Sequence, residues 1–158
     1  MSALMDLIAG DAREILLAIT VEDWAGLQDR SRFDAHLSLG GGLDPTWLDL
    51  FSEAVRSVTG GDGPEDFIDA RRELEGPGGQ LTERSVERVD SAWFSVIARL
   101  DDRDIDAIAG RWIELVEEDL GDLPREEKPW IRKLAAEIVD FARRADRSTD
   151  VLLAWSLA

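Results

Sequence analysis

The stretch Thr82–Leu100, TERSVERVDSAWFSVIARL, decides the fold class. Val86, Val89, Trp93, Val96, Ile97 and Leu100 recur at the spacing that gathers side chains onto one stripe of an α-helix. It predicts a single helix running from Thr82, and the same pattern continues downstream. Asp101 and Asp102 cap a helix with Ile105, Ile108, Ala109, Trp112, Val116 and Leu120 on its inner stripe and Gly121 as its stop. Pro124 and Pro129 bracket the entry to a last helix that carries Trp130, Leu134, Ile138, Phe141 and Ala145.

Upstream, Asp44-Pro45 is a helix start, with Asp as N-cap and Pro at the first helical position. That helix buries Leu48, Phe51, Val55 and Val58 and ends at Gly60. Another is predicted over 64–75 with Phe67, Ile68 and Leu74 inward, followed by a flexible Gly-rich linker at 76–79. Ser2 with Leu4, Leu7 and Ile8 predicts a short first helix, and Asp11 caps a second around Ile15, Leu16 and Ile19. Thr20 and Asp23 resemble a capping box opening a turn through Trp24 and Leu27. Two segments break the helical pattern. Phe33, Ala35, Leu37 and Leu39 alternate with Asp34, His36 and Ser38, and Val151, Leu153, Trp155 and Leu157 alternate in the same way, which is strand periodicity. The expectation is therefore one mainly α domain over 1–158, with six to seven helices and a small two-stranded element pairing 33–39 with 151–157.

The chain is long and apolar enough for a core. Of its 158 residues, 44% are apolar, and Leu, Ile, Val and Phe alone number 44. That is above the roughly 20% at which highly charged chains stay disordered. The net charge of −16, from 18 Lys and Arg against 34 Asp and Glu, argues against binding a nucleic-acid backbone or an anionic membrane. There is no cysteine, hence no disulfide framework, thiolate zinc site or thiol nucleophile. Met1–Gly10 carries no Lys or Arg, unlike the start of a signal peptide, and a cytoplasmic location is expected. Basic residues are 16 Arg and 2 Lys, with Asn and Tyr absent, a bias that tracks GC-rich coding in a bacterial host.

Motifs for chemistry are sparse. His36-Leu37-Ser38-Leu39-Gly40 holds half of a strand-to-helix nucleophile elbow, with His36 standing where its first Gly belongs. His36 and Ser38 are thus the candidate catalytic residues, beside the Gly40–Gly42 loop. With a single histidine and no cysteine, only carboxylate metal sites remain. Asp102, Asp104 and Asp106 imitate a calcium loop, but Ala107 stands in the place of its Gly and Ile113 in that of its Glu. Gly60–Gly63 lacks the Lys-Ser/Thr of a phosphate cradle. No metal and no cofactor are expected.

Charge is unevenly spread: Asp101–Asp122 is net −7 and Leu123–Arg147 net +2, which predicts an antiparallel helical hairpin with Glu114, Glu117 and Glu118 near Arg132 or Lys133. Together with Asp101, Asp102, Asp104 and Asp106, these acids form a candidate docking face. Trp24, Trp47 and Trp130, each in the first turn of a predicted helix, are candidate interface anchors, whereas Trp93 and Trp112 belong to the core. In composition alone, an acidic helical chain of this size resembles antitoxins, immunity proteins and nucleic-acid mimics that neutralise a basic partner. The expected function is a non-enzymatic, protein-binding domain with a basic protein as partner. The alternatives are a small hydrolase using His36 and Ser38, and an oligomeric accessory subunit in which a homo-oligomer buries 151–157.

Overall fold

Val86 and Val89, three residues apart, would share one stripe of a helix but lie on opposite faces of a strand, and a strand is what they form. The computed structural model describes residues 4–156 except 42, 44, 74–79 and 82–83. Its first element is a strand, β1 (Leu4–Gly10), followed by α1 (Ala12–Thr20), α2 (Trp24–Leu27), β2 (Ala35–Gly41), α3 (Thr46–Thr59) and α4 (Phe67–Ala70). Then come β3 (Arg71–Glu73), β4 (Gln80–Leu81), β5 (Arg84–Val89), α5 (Ser91–Ala98), α6 (Asp102–Leu120), α7 (Lys128–Ala145) and β6 (Asp150–Ser156). The strands form one antiparallel sheet in the order β2-β1-β6-β5-β3, with β4 also paired to β5.

This overturns the mainly α expectation. Both predicted strands exist as β2 and β6, but they do not pair: β1 lies between them, with Leu7 opposite Leu37 on one side and Leu153 on the other. The first segment, expected as a helix, is a strand covered on both faces. Met5, Leu7 and Ala9 are buried on one side and Ile8 on the other, so no clean apolar–polar alternation survives in its sequence. In the same way Val86 joins the smaller core and Val89 the larger. The expected helix from Thr82 is thus strand β5 followed by α5, whose N-cap Asp90 accepts the Ala92 N–H at 2.9 Å. The expected helix over 64–75 shrinks to α4 and gives way to β3. Gly76–Gly79 and Asp44 lie outside the described residues, and α3 has Pro45 as its N-cap. Asp23, not Thr20, caps α2, accepting from Gly26 N at 3.0 Å. The α6 and α7 boundaries follow the sequence reading closely.

On one face of the sheet α7 packs against β2, α5 and α6 pack against α7, and α3 packs against α6, so that one large core joins all four helices to Met5, Leu7, Ala9, Leu37 and Leu153. Seven rings form a chain of mostly edge-on contacts there: Trp47, Trp112, Phe51, Trp93, Phe67, Phe94 and Phe141. Ser52 is the one buried polar side chain among the described residues. It accepts from Trp93 Nε1 at 3.0 Å and donates to the Leu48 carbonyl at 3.1 Å. The other face holds a smaller cluster in which Ile15, Ala18 and Ile19 of α1 and Leu27 of α2 meet Ile8, Val86, Leu152 and Ala154.

Candidate functional site

His36 and Ser38 point to the same face of β2, the face shared with Ile8 and α1. The register sets Asp6 directly opposite Ser38 and Ile8 opposite His36, so Asp6 reaches His36 along the diagonal. Its Oδ1 accepts from His36 Nε2 at 3.0 Å, and both side chains are mostly buried, at 14% and 12% exposure. Ser38 is exposed and makes no side-chain hydrogen bond among the described residues. Serine hydrolysis needs the imidazole between hydroxyl and carboxylate; Asp6 holds one ring nitrogen of His36, and no hydrogen bond joins His36 to Ser38 among the described residues. Gly40 and Gly41 end β2, and Gly42 lies outside the described residues. Asp6 is the residue that the sequence reading missed. Only recognition of the first segment as a strand beside β2 would have placed it.

The acids expected to dock a partner are largely engaged at home. Asp102 meets Arg143 at 2.7 Å, Asp106 meets Arg132 at 2.7 Å, and Glu117 meets Lys128 at 3.5 Å. Glu114 and Glu118 share Arg111 on their own helix. Asp101 caps α6 through the Arg103 N–H and pairs with the Arg103 guanidinium. Those two contacts, the backbone one foremost, hold its carboxyl below the usual range. Asp104 alone of this set has no ion pair among the described residues. The hairpin is antiparallel as expected, but Arg132 reaches Asp106 rather than the three glutamates. No group of acidic or histidine side chains among the described residues is arranged to hold a metal ion.

The tryptophans separate clearly. Trp93 and Trp112 are core, as expected. Trp47 is buried as well, stacked edge-on against Trp112 and accepting its indole N–H at the backbone oxygen, 2.9 Å away. Trp24 is half-buried against the smaller cluster. Trp130 is 39% exposed, and its indole nitrogen has no hydrogen bond among the described residues.

Trp130 stands at one end of the α6–α7 hairpin, within a helical turn of the Glu117–Lys128 pair. Leu120, 57% exposed, stands at the same end. Glu117 Oε2 also accepts the Leu123 N–H at 3.2 Å, which ties the connection down. Asp119, Asp122, Glu126 and Glu127 are exposed around it, and none has an ion pair among the described residues. Elsewhere, the glycines of 60–63 serve the chain path. Gly60 closes α3 in the left-handed region at φ 72°, and a Cβ on Gly63 would lie 2.7 Å from the Arg56 nitrogen. No described helix is long and apolar enough to cross a membrane. No known protein family, curated protein or solved structure matches the chain.

Proposed function

We propose that the chain is a non-enzymatic interaction domain that binds a basic protein partner, with the α6–α7 hairpin end as its anchor. The observation that carries this reading is the pairing of exposed Leu120 and Trp130 with four carboxylates that have no ion pair among the described residues, Asp119, Asp122, Glu126 and Glu127. Apolar anchors set in a charged rim suit a protein interface: aromatic side chains supply the contact area while the rim steers a partner of opposite sign. The acids of 101–118, mostly compensated by arginines, contribute to the long-range field more than to direct contact. A neutraliser of a basic protein, in the manner of an immunity protein or antitoxin, fits this surface.

The test is capture of a partner on immobilised protein, comparing the unaltered chain with Leu120→Ser/Trp130→Ser. Capture should fall with the double variant and as salt rises from about 50 to about 500 mM, as screening shortens the reach of the field. A partner retained equally by both proteins at high salt would refute the reading.

The hydrolase alternative gains one specific observation, the Asp6 carboxylate on His36. Hydrolysis of a generic ester, abolished by Ser38→Ala and by His36→Ala, would establish it; activity surviving in both variants would remove it.

A further inference from the structure

The two edges of the sheet are finished differently. At one, β3 offers three residues, Arg71–Glu73, and β4 only two, and Arg71 is ion-paired with Glu87. Short, charged strands of this kind discourage further pairing. At the other edge, β2 runs for seven residues, Ala35–Gly41, with no Asp, Glu, Lys, Arg or Pro. No described strand pairs with its outer side. Its register with β1 is regular from Ala35 to Ser38 and shifts only beyond, toward Gly41.

We propose that the outer edge of β2 pairs antiparallel with β2 of a second copy, continuing the sheet across a two-fold axis. The side chains select the register. Ala35, Leu37 and Leu39 belong to the helix-covered face and His36 and Ser38 to the other, so only registers that keep odd positions opposite odd ones preserve both faces. Centring on His36 would set the two histidines against each other and Asp34 against Ser38. Centring on Ser38 leaves each His36 opposite a glycine. Centring on Leu37 sets Ala35 opposite Leu39 and His36 opposite Ser38 of the second copy, and these matches are small against large and acceptor against donor. The second ring nitrogen of His36 and the Ser38 hydroxyl have no hydrogen bond among the described residues. Directly opposed side chains of an antiparallel pair are close enough to supply one. A symmetric interface of this kind needs no feature on one copy that the other lacks. Strand β6 (Asp150–Ser156), by contrast, is already paired on both sides, by β1 and β5, and offers no free edge.

The absence of cysteine makes the test clean. His36→Cys and Ser38→Cys are made singly and oxidised alone and mixed. A Leu37-centred seam gives at least about five times more crosslinked dimer in the mixture than in either variant alone, since Cα atoms of opposed antiparallel pairs, about 4.5–5.5 Å apart, lie within disulfide range. Light scattering on the unaltered chain should show a dimer whose fraction grows from about 0.05 to about 0.5 M salt, because salt screens the repulsion between two acidic copies. Amide exchange across Ala35–Leu39 of that same chain should slow as concentration rises, a readout that does not depend on either variant folding well. A monomer at all concentrations overturns the proposal, as does a dimer with no preference for the mixed crosslink. Its salt response is opposite to that expected of basic-partner capture at the hairpin end, so failure of one leaves the other standing.

Discussion

On one face of the sheet, Leu7, Leu37 and Leu153 share a core with four helices and a chain of seven aromatic rings. On the other, Ile8, Val86, Leu152 and Ala154 share a smaller cluster with α1, α2 and Phe33, and toward β2 the apolar surface gives way to Asp6, His36 and Ser38. Free energy of burial scales with apolar area removed from water, so the helix-covered face carries most of the stability. The thinner face is left to hold polar groups close to the edge of β2 that no described strand pairs with. The hardest test of this division is truncation of a ring at the centre of the thick layer. Trp93→Ala should cost about 3–5 kcal/mol, read as a lowered urea midpoint, because it opens a cavity between Phe51, Phe67 and Phe94. A loss below about 1 kcal/mol would mean that the ring chain is not the main source of stability.

The matching truncation on the thin face is Ile15→Ala. It should cost about 2–3 kcal/mol, at the lower end for such changes, since one helix and a short turn can settle inward more readily than four packed helices. Native-state amide exchange should then show α1 opening before the sheet does. A loss equal to that of Trp93→Ala, with α1 and α6 exchanging together, would show that the two faces unfold as one unit and would break the comparison.

Legibility from sequence follows the same division. Elements covered on one side declare themselves: α6 and α7 have a buried stripe and an exposed one, so Trp112, Val116, Leu134 and Ile138 can be placed with their caps. The alternation of Ala35–Leu39 shows β2 because His36 and Ser38 are polar on the thin face. β1 has no such contrast, and Val86 and Val89 serve different cores while mimicking a helical step. The candidate site inherits that error. His36 and Ser38 can be singled out, but Asp6 joins them only once β1 is seen to lie between β2 and β6. Ion pairing is equally hidden, since the partners of the α6 acids depend on how the hairpin crosses.

A smaller effect is expected at Ser52. Ser52→Ala removes the hydroxyl that accepts from Trp93 Nε1 but leaves the Glu65 carbonyl, also 3.0 Å from that nitrogen. One buried hydrogen bond is worth about 1 kcal/mol, partly offset by the better helix propensity of alanine, so the urea midpoint should fall only slightly. No change at all would show that the Glu65 carbonyl alone satisfies the indole, and that the thick layer needs no polar clamp.

The smallest effect concerns how each layer treats a carboxylate. Asp23, on the α2 side, is held below the usual carboxylate range first by the Arg32 guanidinium and then by the Gly26 N–H. Asp49, on α3, is half-buried and pushed up, by burial first and by neighbouring Asp66 and Asp69 next, against the Ile68 N–H and Arg71. A carboxyl raised in the folded state contributes stability that is fully present below its unfolded pKa and lost as pH rises through its folded value. At neutral pH, ionised Asp49 therefore counts against the fold. An amide in its place would keep an oxygen for the Ile68 N–H, which Asp49 accepts at 2.7 Å, without the charge. Asp49→Asn should raise the melting midpoint by about 1–2 °C at pH 7, with the gain shrinking toward acid pH, where the native carboxyl is already neutral. A lowered midpoint at pH 7 would mean that the bond from Ile68 to a full charge outweighs burial and the two neighbouring aspartates, and Asp49 would then behave like Asp23 across the molecule.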